Sequence, residues 1–370
     1  MPSVRLVNVT KRFGKTVAIN GLNLEVSDGE YLCILGPTGS GKTTLLKLIA
    51  GIVKPDEGEI YINDRPVNEV PPQDRNTTYV PQNYALFPHL NVIENVAFGP
   101  LSRRLSKKEA YERAMKMLEM TKLAKRASAF PNELSGGMQQ RLALARGLAS
   151  DASLLLLDEP LGALDARLRV ELRYKLRDMV RKRGFTTVHV THDQEEAMIV
   201  GDRIVVLRHG QIQQASIPFT VYNEPESIFV ANFVGETNFL EGFVTKRDQH
   251  GSRVQLRNGL LLGIREIGYS PGERLILAMR KEMTEIVKKG RGRKKANVLS
   301  GKVASSSFLG SFIEYEILLE NGDVMSSRVH ISHKASQFSV GDRVRVRLQP
   351  ESIKTFLYPQ VGLLRELEVI

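Results

Sequence analysis

Two textures of apolar patterning divide this chain. Up to about residue 235, short apolar runs alternate with stretches whose apolar positions recur every three or four residues, the mark of strands followed by helices. Tyr31–Leu35, Leu154–Asp158, Thr186–Thr191 and Ile204–Leu207 read as buried strands bounded by Gly, Asp or Pro, as strands at a sheet core should be. Thr43–Ala50 reads as a helix stopped by Gly51. Between Tyr84 and Glu133 helix takes over: over Lys107–Met120, Ala110, Ala114, Met117 and Leu118 fall near one face, and Leu123 follows. The pattern predicts an α/β domain over 1–235 with a largely parallel sheet and an inserted helical subdomain at about 84–134.

From Glu236 to the end the runs shorten and turn signals multiply. Arg253–Leu262 and Tyr315–Met325 each carry Asn-Gly between apolar stretches, the strongest short-range hairpin signal. The two segments echo each other weakly, as a structural repeat would. Gly341–Leu348 alternates like a strand with one wet face. Residues 236–370 therefore predict a small all-β domain, an OB-like barrel or a sandwich.

Composition narrows the setting. At 370 residues, 42% hydrophobic and 25% charged, the chain is long enough for two cores or three. No apolar run reaches the 18 residues a membrane span requires. MPSVRLVNVT lacks a basic segment followed by an apolar one, so no secretory leader is expected. The single cysteine, Cys33, sits in the apolar run YLCILG and is expected in the core, in a reducing compartment. The net charge of +11 is uneven, +3 over residues 1–236 and +8 over 237–370. Six of those basic side chains crowd KKGRGRKK, Lys288–Lys295, which suits a solvated linker or contact with lipid or nucleic acid.

Three segments carry the chemistry. Gly36-Pro37-Thr38-Gly39-Ser40-Gly41-Lys42-Thr43, followed by Thr44, fits G-x-x-x-x-G-K-[ST] between a predicted strand and a predicted helix. Small residues let backbone N–H groups point inward at phosphate, and the helix start adds positive partial charge. Lys42 would reach the β- and γ-phosphates of ATP, and the Thr43 hydroxyl would bind Mg2+. Asp158 ends an apolar strand where a carboxylate meets a metal ion, and Glu159 follows it, placed to activate the attacking water. LSGGMQQR at Leu134–Arg141 sets Ser135, Gly136 and Gly137 at a helix start, a second anion site of the same kind.

The order P-loop, Gln82 in YVPQ, LSGGMQQR, LLLLDEP, Gly162-Ala163-Leu164-Asp165 and His192 in VTHDQEEA resembles the nucleotide-binding subunits of ATP-binding cassette (ABC) transporters across residues 1–235. By that resemblance Gln82 senses Mg2+, the attacking water and the membrane subunit, and Ser135, Gly136 and Gly137 cap the γ-phosphate of ATP held by a second subunit. Asp165 crosses the dimer, His192 contacts the γ-phosphate, and Phe13 in KRFG stacks on adenine. Met138 departs from the family, which more often has glutamine there; tuning of the helix is expected, with function kept. One chain then owns two half-sites, and a head-to-tail homodimer completes both.

NFLEGFV at Asn238–Val244, Phe308–Gly322, Asp342–Ile353 and Tyr84–Gly99 resemble the maltose, polyamine, iron and sulfate importer group, with its regulatory β domain. The resemblance implies an ATPase at the cytoplasmic face of the membrane. Its partners would be two transmembrane permease subunits and, indirectly, a solute-binding protein, with no nucleic acid expected. GETNFLEG at Gly235–Gly242 leans toward polyamine or ferric iron, with sugar or anion open. Two alternatives stand beside this. One is a soluble ABC ATPase acting on nucleic acid or ribosomes, disfavoured because only 93 positions separate Lys42 from Ser135, with no heptads. The other is a non-catalytic sensor, disfavoured by Glu159 and His192.

Overall fold

The computed structural model describes the chain apart from residues 1, 151, 250, 257–258, 289–296, 332–337 and 369–370. From residue 289 on, the basic run therefore lies outside the described residues. Two compact units divide the chain, Met1–Val221 and Tyr222–Val369.

The first unit runs β1 (Val4–Phe13), β2 (Thr16–Val26), β3 (Tyr31–Leu35), α1 (Lys42–Ala50), β4 (Glu57–Ile62), β5 (Arg65–Pro66), β6 (Thr77–Val80), α2 (Val92–Ser102), α3 (Lys107–Met120) and α4 (Gly136–Ala149). It continues with β7 (Leu154–Asp158), α5 (Ala166–Arg183), β8 (Thr186–Val190), α6 (Gln194–Val200), β9 (Arg203–Arg208) and β10 (Gln211–Ser216). The predicted buried strands form a six-stranded sheet, order β10-β9-β3-β8-β7-β6, parallel except for the β9–β10 pair. Leu154 to Leu157 are wholly buried, each burial stabilising by roughly 1.5–3 kcal/mol. Unforeseen is a second sheet, antiparallel, in the order β2-β1-β4-β5. Its inner face (Val4, Leu6, Leu22, Leu24, Ile60) joins Leu45, Leu48 and Ile49 of α1 in one core.

The inserted helices begin where local chemistry starts them. Asn91 and Glu94 form a capping box at α2, and Ser106 and Glu109 another at α3, satisfying backbone donors that a helix start leaves free. Gly51 ends α1 in the left-handed region, as expected. Behind it lies Arg75, almost fully buried. Its guanidinium donates to the carbonyls of Leu48, Ile49, Val67 and Val70, so the tail of α1 faces a cation held by carbonyls.

The second unit is mostly strand, with short helices at Ile228–Phe233 and Leu363–Leu367 near its two ends. It runs β11 (Thr237–Asp248), β12 (Gly251–Leu256), β13 (Leu261–Ile264), β14 (Arg274–Arg280), β15 (Thr284–Lys288), β16 (Val298–Phe308), β17 (Phe312–Leu319), β18 (Val324–His330), β19 (Arg343–Leu348) and β20 (Lys354–Leu357). Two five-stranded antiparallel sheets, β13-β12-β11-β14-β20 and β15-β19-β16-β17-β18, share one core from Leu240 to Ile353. The Tyr315–Met325 segment forms the β17–β18 hairpin; β12 pairs antiparallel with β13 in the other sheet, while Asn258 of the first Asn-Gly lies outside the described residues. In the β17–β18 hairpin, Leu319 N–H donates to Asp323 O across a three-residue loop, with Gly322 at φ +88°. In β19 the valines face inward and the arginines outward, as the alternation predicts. Residues 222–235 pack with this unit: Arg280 donates to the carbonyls of Tyr222 and Ala231 and to Thr237 Oγ1, while lying over the Tyr222 ring.

Candidate functional site

Four neighbouring strands of the six-stranded sheet, β3, β8, β7 and β6, run parallel and end at one edge. Their register aligns Ile34 with Val190, Val190 with Asp158, and Val80 with Leu157. The next residues along each strand are the P-loop, His192, Glu159 and Gln82. Such a carboxyl edge is where open α/β sheets bind ligands.

The loop Gly36–Gly41 joins β3 to α1. Gly41 opens α1 at φ +104°, and a Cβ there would stand 2.4 Å from Ala18 O, so only glycine lets β2 approach. A Cβ on Gly36 would meet Leu207 O at 2.3 Å. Thr38 and Gly39 are exposed at the tip, Pro37 is half-buried, and Ser40 is buried with its hydroxyl unpaired. Thr44, in the first turn of α1, is half-buried. The Lys42 ammonium donates to Gly36 O and Pro37 O, both at 2.8 Å. Burial lowers its pKa, and the Glu159 and Asp158 charges pull the other way. An orphaned buried hydroxyl, a buried cation and a helix start fit a phosphate chain.

Asp158 is buried at the end of β7. Its Oδ1 accepts from Thr43 Oγ1 at 3.1 Å and its Oδ2 from the Tyr79 hydroxyl at 3.0 Å. Burial raises its pKa, while these two bonds lower it. Glu159 has φ +48°, unusual for a residue with a side chain, and its N–H donates to Val190 O at 2.9 Å. The turn aims its carboxylate at two neighbours: Gln82 Nε2 donates to Oε2 at 3.1 Å, and His192 Nδ1 lies 3.1 Å from Oε1. Glu159, Gln82 and His192 thus form one cluster, with Asp158 and Thr43 beside it.

Ser135 and Gly136 are exposed where α4 starts, and the Ser135 side chain makes no cap bond. Asp165 is exposed and caps α5 by accepting from Leu168 N–H at 3.0 Å. A Cβ on Gly137 would come 3.0 Å from Ala163 O, so α4 and the 162–165 turn are in close contact. Phe13 ends β1 about half exposed, with the Lys11 ammonium 5.5 Å from its ring centre. Cys33 is fully buried, as its apolar run predicts.

Three supporting groups escaped the sequence reading. Tyr79 precedes Gln82 by three residues in a strand too short to reveal which way its hydroxyl points. Gln140 lies in the motif LSGGMQQR, but nothing local shows that it bonds residues 19 and 23 positions on. Behind His192 lies a buried cluster. Tyr31 OH and His189 Nδ1 are 2.9 Å apart, and His189 Nε2 lies 3.4 Å from Glu196 Oε1. The Thr191 hydroxyl donates to Glu196 Oε2 at 2.7 Å. Asp193, capping α6, faces Arg169 and Arg173.

Residues 19–162 match the family described as ABC transporter, and residues 273–356 match the TOBE domain. The chain is 41% identical over 350 residues to the spermidine/putrescine import ATP-binding protein PotA of Clostridium acetobutylicum, covering 95% of each chain. It is 40% identical to the protein of that name in Rubrobacter xylanophilus, covering 93% of this chain and 91% of that one. Among solved structures, the dimeric bacterial ABC transporter cassette MJ0796 is 36% identical, with a TM-score of 0.54. The match covers 58% of this chain and 98% of that cassette. The same cassette in a post-hydrolysis state with ADP and Pi gives a TM-score of 0.55.

Proposed function

This chain belongs to the ATP-binding subunits of ABC importers, and on that premise we propose that it powers uptake of a polyamine. It binds nucleotide and hydrolyses ATP; the cargo, the partners and the role of each residue are our reading. The observation that carries the reading is the row of four adjacent strand ends, which set phosphate loop, switch histidine, carboxylate and sensing glutamine along one edge.

In this reading the P-loop from Gly36 to Thr44 wraps the phosphates, with Lys42 moving from its two loop carbonyls onto the β- and γ-oxygens. Phe13 stacks on the adenine. Thr43, Asp158 and Gln82 offer oxygens suited to Mg2+, which when bound would supply positive charge to the phosphate oxygens. Glu159, held between Gln82 and His192, accepts a proton from the attacking water, and His192 steadies the γ-phosphate. The exposed Ser135, Gly136 and Asp165, with the half-buried Gly137, serve the ATP of a second copy, so two chains head to tail enclose two nucleotides.

Residues 1–235 carry the ATPase and 236–370 the regulatory domain of this assembly, with 222–235 the connecting stretch that packs on the second unit. It sits at the cytoplasmic face of the membrane with two permease subunits, fed by a solute-binding protein. The polyamine assignment rests on relatives such as the two above, whose printed names specify spermidine/putrescine import.

The test is copurification of the tagged chain from native membranes in mild detergent, followed by uptake of labelled spermidine after reconstitution. Two multi-spanning subunits and spermidine uptake are expected. Uptake of ferric iron instead would replace the cargo. Ribosomal proteins or nucleic acid in place of permeases would overturn the importer partnership.

A further inference from the structure

Gln140 lies on α4 about one turn beyond Gly137 and is 5% exposed. Its Nε2 donates to Glu159 O at 2.8 Å, and its Oε1 accepts from Ala163 N–H at 2.7 Å. The amide orientation is fixed, because a flipped amide would set oxygen against oxygen and N–H against N–H. One side chain therefore grips both ends of the turn that follows β7. Glu159 is held on both sides of its left-handed backbone, by Val190 O at its N–H and by Gln140 at its carbonyl. Ala163 is likewise held, by Gln140 at its N–H and by close contact with Gly137 at its carbonyl.

We propose that Gln140 is a positioning residue that ties the start of α4, Ser135–Gly137, to the aim of the Glu159 carboxylate. The inference rests on the reading of Glu159 as the group that activates water. Under it, Ser135–Gly137 serve one ATP while Glu159 serves the other, and Gln140 is the rigid link between the two within one chain. Motion of the helix start then swings the Glu159 carbonyl, and with it the carboxylate. Gln140 itself touches no nucleotide.

The experiment uses the purified full chain with Mg-ATP and two variants, Gln140→Leu and Gln140→Glu. Gln140→Glu keeps the acceptor for Ala163 N–H and loses the donor to Glu159 O, so it remains informative if Gln140→Leu does not fold. The expected result is a fall in kcat of about 10–100-fold with KM for ATP within about twofold, the size of effect that small misplacement of a reacting group produces. Gln140→Glu should also recover toward the wild-type rate as pH falls from 8 to 6, because a protonated carboxyl can donate to Glu159 O again.

Unchanged kcat, or KM rising as kcat falls, would overturn the link, and so would a Gln140→Glu rate whose ratio to wild type ignores pH. Glu159→Gln serves as control. If that variant keeps normal turnover, the Glu159 assignment itself fails. If it is inactive while both Gln140 variants are normal, only the link fails.

Discussion

Tyr79 donates its phenolic proton to Asp158 Oδ2 at 3.0 Å, across 79 positions of sequence. The bond stabilises the charged form of a buried carboxylate that burial pushes toward the neutral one. Tyr79→Phe should keep the fold, since only a hydroxyl is lost, and should weaken Mg2+ binding. We expect the Mg2+ concentration for half-maximal ATPase to rise about threefold to tenfold, from the loss of one bond to a charged group. An unchanged Mg2+ titration would show that Thr43 alone orients Asp158.

Glu159→Gln should lower ATP turnover by about 100-fold or more while leaving nucleotide binding intact. ATP should then trap a dimer visible by size-exclusion chromatography with light scattering. A variant that stays monomeric at saturating ATP, without permease, counts against a self-sufficient two-site dimer. Lys42→Ala should lose ATP binding and leave the C-terminal unit folded.

The buried pair behind His192 sets a dependence on pH. Burial pushes the Glu196 carboxyl up to about 7 and the His189 imidazole down to about 3. A raised carboxyl contributes stability that is complete below its unfolded value of 4.5 and is lost as pH rises through about 7. A lowered imidazole works oppositely, contributing fully above 6.5 and losing that contribution as pH falls toward 3. Between the two unfolded values the proton counts cancel.

Glu196→Gln removes the carboxyl contribution alone and still accepts from Thr191. Wild type should therefore lose about 1 kcal/mol relative to Glu196→Gln between pH 6 and pH 8, read by urea unfolding at the two pH values. Equal shifts in both proteins would mean that Glu196 is already ionised at pH 6.

Arg280 is the corresponding keystone of the C-terminal unit, with three short bonds to Ala231 O, Thr237 Oγ1 and Tyr222 O. Lysine cannot reproduce a planar fork reaching three acceptors while lying over a ring. Arg280→Lys should destabilise that unit by about 2–3 kcal/mol, seen as an earlier melting step, because buried carbonyls are left unpaired.

Much of the site was legible because each functional segment announces itself locally. The P-loop, LLLLDEP and VTHDQEEA each place a polar group just after a buried strand, so a strand assignment locates the chemistry as well. The antiparallel sheet was harder to see. The β1–β2 pairing shifts register between Leu6 and Val9, between Val9 and Lys11, and again before Arg12, which breaks the two-residue period that betrays a strand. Tyr79, Gln140 and Glu196 were illegible for another reason. Their roles are contacts made across the fold, and neither spacing nor neighbouring residues encode the partner. In the second unit Asn321-Gly322 marked a hairpin correctly, while the structure decided that its loop holds three residues.

Arg75 gives the P-loop helix an electrical asymmetry. Its guanidinium sits against the carbonyl end of α1, so that end of the helix dipole is met by a cation of the chain itself as it folds. The opposite end, at Gly41 and Lys42, presents N–H groups and an ammonium with no anion among the described residues bonded to them. The attraction of that terminus for negative charge is left unspent by folding, and falls instead to whatever triphosphate arrives.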